Sequence, residues 1–172
     1  TRAAYLAPHL WSSAGPLWKE VHKRLGPEVR MISSLDRLSQ DRDAALVVID
    51  PQIVITHETL ASLVSWAKSG RTVVLPRTAL YTEMARTELE LLAARSKAMD
   101  LSLGVRYRIH SLGEGRLIVH DLPDSAELWA QFAGHLFSIA EIEGYCQVSD
   151  SRVAMVPLEK RGQGLGLFVM NP

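Results

Sequence analysis

An α/β architecture is what this sequence predicts: a flavodoxin-like three-layer sandwich around a mostly parallel sheet, followed by a C-terminal β-hairpin. Three observations carry that expectation. "AALVVIDP" (44–51) and "RTVVLP" (71–76) are continuous runs of β-branched and aliphatic residues, the signature of strands buried on both faces of a parallel sheet. Between them lies an amphipathic stripe of Leu60, Leu63, Val64 and Ala67, closed by Gly70, so strand, helix and strand form a right-handed βαβ unit. Further on, the pattern changes to alternation about Gly113-Glu114-Gly115, which reads as a hairpin.

The remaining elements follow in order. "AAYLAP" (3–8) is a short buried strand ending at Pro8. "SSAGPLWKEVHKRLG" carries helix punctuation: Ser12 or Ser13 as cap, Pro16 in the first turn and Gly26 past the end. Leu17, Val21 and Leu25 form its apolar stripe, with Trp18 beside it. "EVRMIS" (28–33) is a second strand and "LDRLSQ" a short polar helix. Thr56 caps the helix of the βαβ unit, and Glu58 in its first turn favours the helix dipole. The stretch 81–99 is expected to be helical, with Ala85, Leu89, Leu92 and Ser96 along one side. Asp124-x-x-Glu127 reads as a capping box opening a helix whose core face holds Leu128, Phe132, Leu136 and Ile139. The closing "RVAMVPLEKRGQGLGLFVMNP" reads as a second hairpin turning near Gly162 to Gly164. The expected division is an α/β domain over 1–145 and a C-terminal β-hairpin over 146–172, which could open a further domain. Thr1 is not a natural start, and the chain stops on an apolar strand, so a longer parent is expected.

Composition narrows the function classes. The formal charge is zero and the pI about 7.0, so no net field draws the chain to nucleic acid or anionic lipid. No apolar stretch reaches the roughly 18 residues of a membrane span. Cys146 is the single cysteine, which excludes an internal disulfide and a cysteine zinc cluster. No signal-peptide pattern is read, and the compartment stays open with the cytoplasm slightly favoured.

Candidate chemistry is sparse. The reactive position of an open α/β sheet is its carboxyl edge, and there the chain offers Asp50, Arg77 and Thr78, with His57 opening the next helix. Asp50 has two uses open to it: holding a ligand hydroxyl or cation, or capping the turn that follows. His57 and Glu58 are best read as helix-opening residues. Cys146, between Tyr145 and Gln147, lacks the small neighbours of a nucleophile elbow. His120-Asp121 is a poor chelate because adjacent strand residues face opposite ways; no metal and no cofactor are expected. "GQGLG" (162–166) and "GEG" (113–115) lie between strands rather than at a helix start, so neither is a phosphate loop. Trp11, Trp18, Trp66 and Trp129 lie in or beside amphipathic helices. Packing is their commonest use, with subunit anchoring and sugar stacking as alternatives.

Pro51, Thr56-His57-Glu58, Leu60, Leu63-Val64, Ser69-Gly70, Thr72-Val73-Val74 and Arg77-Thr78 together resemble the central βαβ unit of the class I glutamine amidotransferase-like fold. More narrowly, they resemble the trimerisation domain of family 42 β-galactosidases. Arg71 stands where that pattern has a second glycine. "GEGRLIVHDLPDSAELW" and "VAMVPLEKRGQGLGLFVMNP" resemble later segments of the same proteins. In active amidotransferases the corner after the second strand carries the nucleophile; here that position falls at Arg77, and a guanidinium cannot serve. No His-Pro-Glu segment follows. The resemblance implies a non-catalytic domain of a larger glycoside hydrolase-like protein, with the catalytic residues elsewhere in the parent. It also implies self-association, a trimer being favoured, and contact with the rest of the parent chain. Two alternatives remain open. One is a sugar- or small-anion-binding module using Asp50, His57, Arg77 and Thr78. The other is an enzyme of unfamiliar type with Asp50, His57 or Glu83 as base.

Overall fold

The computed structural model describes residues 2–8, 15–40, 43–143, 154–159 and 165–170. In chain order the elements are β1 (Ala3–Leu6), α1 (Pro16–Leu25), β2 (Val29–Ile32), α2 (Leu35–Gln40), β3 (Leu46–Ile49), α3 (His57–Lys68) and β4 (Thr72–Pro76). They continue as α4 (Glu83–Leu91), β5 (Ser96–Asp100), β6 (Arg106–Leu112), β7 (Gly115–His120), α5 (Ala126–Ile139), β8 (Ala154–Glu159) and β9 (Leu165–Met170). The first seven strands form one sheet in the order β2-β1-β3-β4-β7-β6-β5. Strands β2, β1, β3, β4 and β7 run parallel. β6 returns antiparallel to β7, and β5 antiparallel to β6. β8 and β9 pair with each other, antiparallel, in a separate sheet. The expected turn at Gly162 to Gly164 lies outside the described residues.

The apolar runs explain the layering. Every residue of β1, β3 and β4 is buried, so each strand needs cover on both faces. Leu38 of α2, Leu60 and Leu63 of α3 and Ala85 of α4 pack on one face with Val47, Ile49 and Val73. Leu17, Val21 and Leu25 of α1 and Leu128, Phe132 and Leu136 of α5 pack on the other with Tyr5, Val48 and Val74. Fully burying one such side chain contributes about 1.5–3 kcal/mol. The Thr56 cap forms, its hydroxyl accepting from the Thr59 N–H at 3.3 Å. α1 starts at Pro16 with Gly15 as cap and no side-chain capping bond; Ser12 and Ser13 lie outside the described residues. Gly26 ends it with φ +50°, its N–H donating to the His22 carbonyl.

Two expected elements differ from the structure. The stretch 81–99 is not one helix: α4 ends at Leu91, a 3-10 turn spans Leu92–Arg95, and β5 begins at Ser96. Ser96 Oγ donates to the Ala93 carbonyl at 2.7 Å, and the ladder to β6, Ser96 opposite His110, takes over. Counting helical spacing could not see that partner. The Asp124 capping box does not form either. Ser125 is the cap residue of α5, without a side-chain capping bond, so Asp124 stands one position too early.

The β6–β7 hairpin depends on close approach to the end of α3. Its turn is Gly113-Glu114, with Gly113 at φ +58°, the two-residue type that favours glycine first. A Cβ on Gly115 would stand 2.2 Å from the Ala67 carbonyl oxygen and 2.3 Å from that of Arg71. Both are backbone atoms that cannot step aside. Gly115→Ala is therefore expected to cost about 3 kcal/mol or more. Gly104→Ala has open space but a φ of +71° and should cost only about 1–2 kcal/mol. Urea denaturation of the two variants checks the ranking.

Candidate functional site

Asp50 directly follows β3 at the carboxyl edge. Extending the register of Val47 with Val73 and Val48 with Val74 by two residues sets it opposite Pro76. Its side chain is turned inward and is 1% exposed. Oδ2 accepts from the Tyr5 hydroxyl at 2.8 Å and, at the outer limit, from the Gly15 N–H at 3.5 Å. Oδ1 accepts from the Gln52 N–H at 2.9 Å, the local turn that Asp side chains favour. One carboxylate thus joins β1, the start of α1 and the loop after β3. Burial, with the Asp50 charge adding to it, pushes the Tyr5 hydroxyl far above the ordinary tyrosine range, so it stays a donor.

The other three expected site residues share this edge without joining Asp50. His57 opens α3, and its Nδ1 lies 2.7 Å from Glu88 Oε2, fastening α3 to α4. Arg77 and Thr78 form the 3-10 turn after β4 and are exposed. Among the described residues, no hydrogen bond or ion pair joins any two of the four. Among the described residues, no group of three or more His, Cys, Asp or Glu is placed to hold a metal ion, and no helix is long and apolar enough to cross a membrane.

Sequence reasoning missed two features of this edge. His120 ends β7 opposite Pro76 and is 4% exposed, packed against Trp129 and Phe132 with ring centroids 5.3 and 5.1 Å away. Burial pulls its imidazole down to about 4. Its apolar neighbours on β7 were the only signal of that burial. The second feature is apolar. Val54, Tyr81, Met84 and Leu103 are exposed, and they follow the carboxyl ends of β3, β4, β4 and β5. Leu91, at the opposite end of α4, is the fifth exposed large apolar side chain among the described residues. Val54 lies between Ile53 and Ile55, Tyr81 follows Leu80 and Met84 precedes Ala85, so the sequence does not mark them as exposed and only the topology sets them along one edge.

The described tryptophans are packed within the domain. Trp129 is 5% exposed, Trp18 stacks edge-on to Tyr5 at 5.3 Å, and Arg71 covers Trp66 at 5.9 Å. Trp11 and Cys146 lie outside the described residues.

No protein-family model matches the chain, and no curated protein matches it significantly. Its fold is similar to part of a family 42 β-galactosidase from G. stearothermophilus, with a TM-score of 0.64 and 12% identity over 99% of this chain and 34% of that one. A β-galactosidase from Bacillus circulans sp. alkalophilus gives 0.63 and 13%, over 99% of this chain and 35% of that one. A cold-adapted β-galactosidase from Rahnella sp. R3 gives 0.62 and 10%, over 91% and 34%. The chain spans about a third of the length of these enzymes, and the likeness establishes its α/β fold.

A hydrogen bond to a charged acceptor is worth about 1.5–3 kcal/mol, so Tyr5→Phe should lose about 2 kcal/mol. Asp50→Ala should lose more, because it strips three donors. A double-mutant cycle measured by chemical denaturation should give a coupling above about 1 kcal/mol; additive losses would show that the bond contributes nothing.

Proposed function

We propose that this chain is a non-catalytic oligomerisation and accessory domain of a larger, carbohydrate-active protein of glycoside hydrolase type. The observation that carries the reading is the makeup of the carboxyl edge. An enzyme of this architecture keeps its reacting groups there. Here Asp50 is consumed by internal hydrogen bonds, and Arg77 holds the corner where an amidotransferase-like frame would carry its nucleophile. Val54, Tyr81, Met84 and Leu103 stand exposed instead. Tyr, Met and Arg are the residue types enriched in protein interfaces. The likeness to one segment of several β-galactosidases supports a parent of that class. Residues 1–145 then form the assembly domain. Residues 146–172 begin the next, which the separate pairing of β8 with β9 supports. The partners are further copies, as a trimer, and the rest of the parent chain.

The alternative, a sugar- or small-anion-binding module, has only Arg77 and Thr78 as uncommitted groups among its four residues. His57 is already turned to Glu88.

Light scattering behind a sizing column tests the assembly. A mass near three times 19.1 kDa is expected. Tyr81→Glu combined with Met84→Glu should return it to the monomer mass. Exposed substitutions shift stability by only about 0.5 kcal/mol each, so melting should be nearly unchanged. A wild-type monomer at every concentration would rule out self-assembly by this chain.

A further inference from the structure

Two buried histidines sit on opposite faces of the antiparallel part of the sheet, and in each a second ring proton would create an N–H that meets no acceptor among the described residues. His110 of β6 is 2% exposed. Its Nδ1 lies 3.3 Å from the Leu92 carbonyl oxygen, which can only accept, so Nδ1 carries the proton. Nε2 is buried and has no partner among the described residues. A second proton would create a donor there with nothing to receive it. His120 of β7 is bonded in the opposite sense: its Nδ1 accepts from the Leu122 N–H at 3.4 Å. Protonation would destroy that acceptor and set N–H against N–H.

We propose that this pair is an acid-operated latch: protonation releases β5, β6 and the Leu92–Arg95 turn from the sheet, and loosens the loop leading into α5, while the parallel strands stay folded. His110 is wedged between β6 and the turn that feeds β5, and the N–H it would gain at Nε2 is buried there without an acceptor among the described residues. His120 is the link between β7 and the Leu122 loop. Neither imidazole has a carboxylate partner among the described residues. Around His110 the charged groups are Arg108 on its own strand, which donates to Ser96 Oγ, and Asp100 on β5, paired with Arg106. Arg95 lies on the turn, and Glu114 of the hairpin and Lys68 at the end of α3 lie beyond it, while Arg116 faces away and donates to the Ile139 carbonyl. Around His120 the titratable groups are Tyr107, opposite it on β6 and bonded to His135 Nδ1 of α5 at 2.9 Å, Arg77 after β4, Asp121 next in the chain, and Glu127 in the first turn of α5. Burial lowers both imidazoles below the ordinary histidine range; at His110 the bond to the Leu92 carbonyl, which the cation keeps, opposes that shift and Arg108 adds to it. An unfolded histidine takes up its proton near pH 6.5, so the open form binds more protons below that value. The stability these residues contribute is therefore complete above about pH 6.5 and is lost as the pH falls toward 4.

Hydrogen exchange read by mass spectrometry, corrected for intrinsic rates, at about pH 7 and about pH 4.5 tests the latch. Amides over 92–112 should lose protection at least tenfold, while those over 46–49 and 72–75 keep theirs. His110→Asn with His120→Asn supplies an amide that can donate to Leu92 and one that can accept from Leu122, without titrating. That variant should keep its protection at the lower pH. Equal protection of 92–112 at both pH values, or the same loss in the double variant, would overturn the proposal. Should the double variant not fold, the imidazole proton resonances of the wild type decide. Protonation in step with the local loss of protection supports the latch. Protonation only when every strand opens together refutes it.

Discussion

Burial of β1, β3 and β4 on both faces is the constraint on which the rest of this structure depends. Strands with no polar face need a helical layer on each side, and parallel strands need crossovers to supply it. The chain meets both needs at once, with α2, α3 and α4 over one face and α1 and α5 over the other. Every crossover then enters and leaves at one of two sheet edges. Polar and exposed groups are thereby left to those edges and to the outer faces of the helices.

The carboxyl edge shows what this confinement does to individual residues. Asp50 emerges from a strand that is apolar throughout, at the point where β1 and β3 diverge to opposite sides in strand order. Such a point is where ligands bind in open α/β sheets. Here the carboxylate is closed instead by Tyr5, Gly15 and Gln52. The hydrogen bonds that would hold a ligand hold the chain's own loops together. What the edge still presents is exposed apolar side chains with Arg77 and Thr78, the surface on which the proposed assembly role rests.

The antiparallel strands are organised differently. β6 alternates buried and exposed residues, and β5 is largely exposed at the sheet margin. Beyond the backbone ladders that join β5 to β6 and β6 to β7, a few specific contacts attach them to the rest: Gly115 against Ala67 of α3 and Arg71 just before β4, His110 with Leu92, and Tyr107 with His135. The proposed latch places the first opening of the sheet here, where single polar contacts replace a two-sided apolar core.

The central βαβ unit, the Thr56 cap, the helical stripes and the Gly113-Glu114 turn were all determined by the sequence itself. Each depends on residues close together in the chain, where spacing and backbone preference suffice. Arg77 at the corner after β4 was legible for the same reason. Tertiary structure alone decided that Ser96 to Asp100 form a strand, because its partner β6 lies beyond a turn that helical periodicity does not register. It also decided that β7 enters between β4 and β6, that Tyr5 meets Asp50 across 45 residues, and that His120 is buried under Trp129 and Phe132. The apolar edge belongs with these. Val54, Tyr81, Met84 and Leu103 share one edge because strands running the same way bring the loops that follow them to one side, and that direction exists only once the strands have paired.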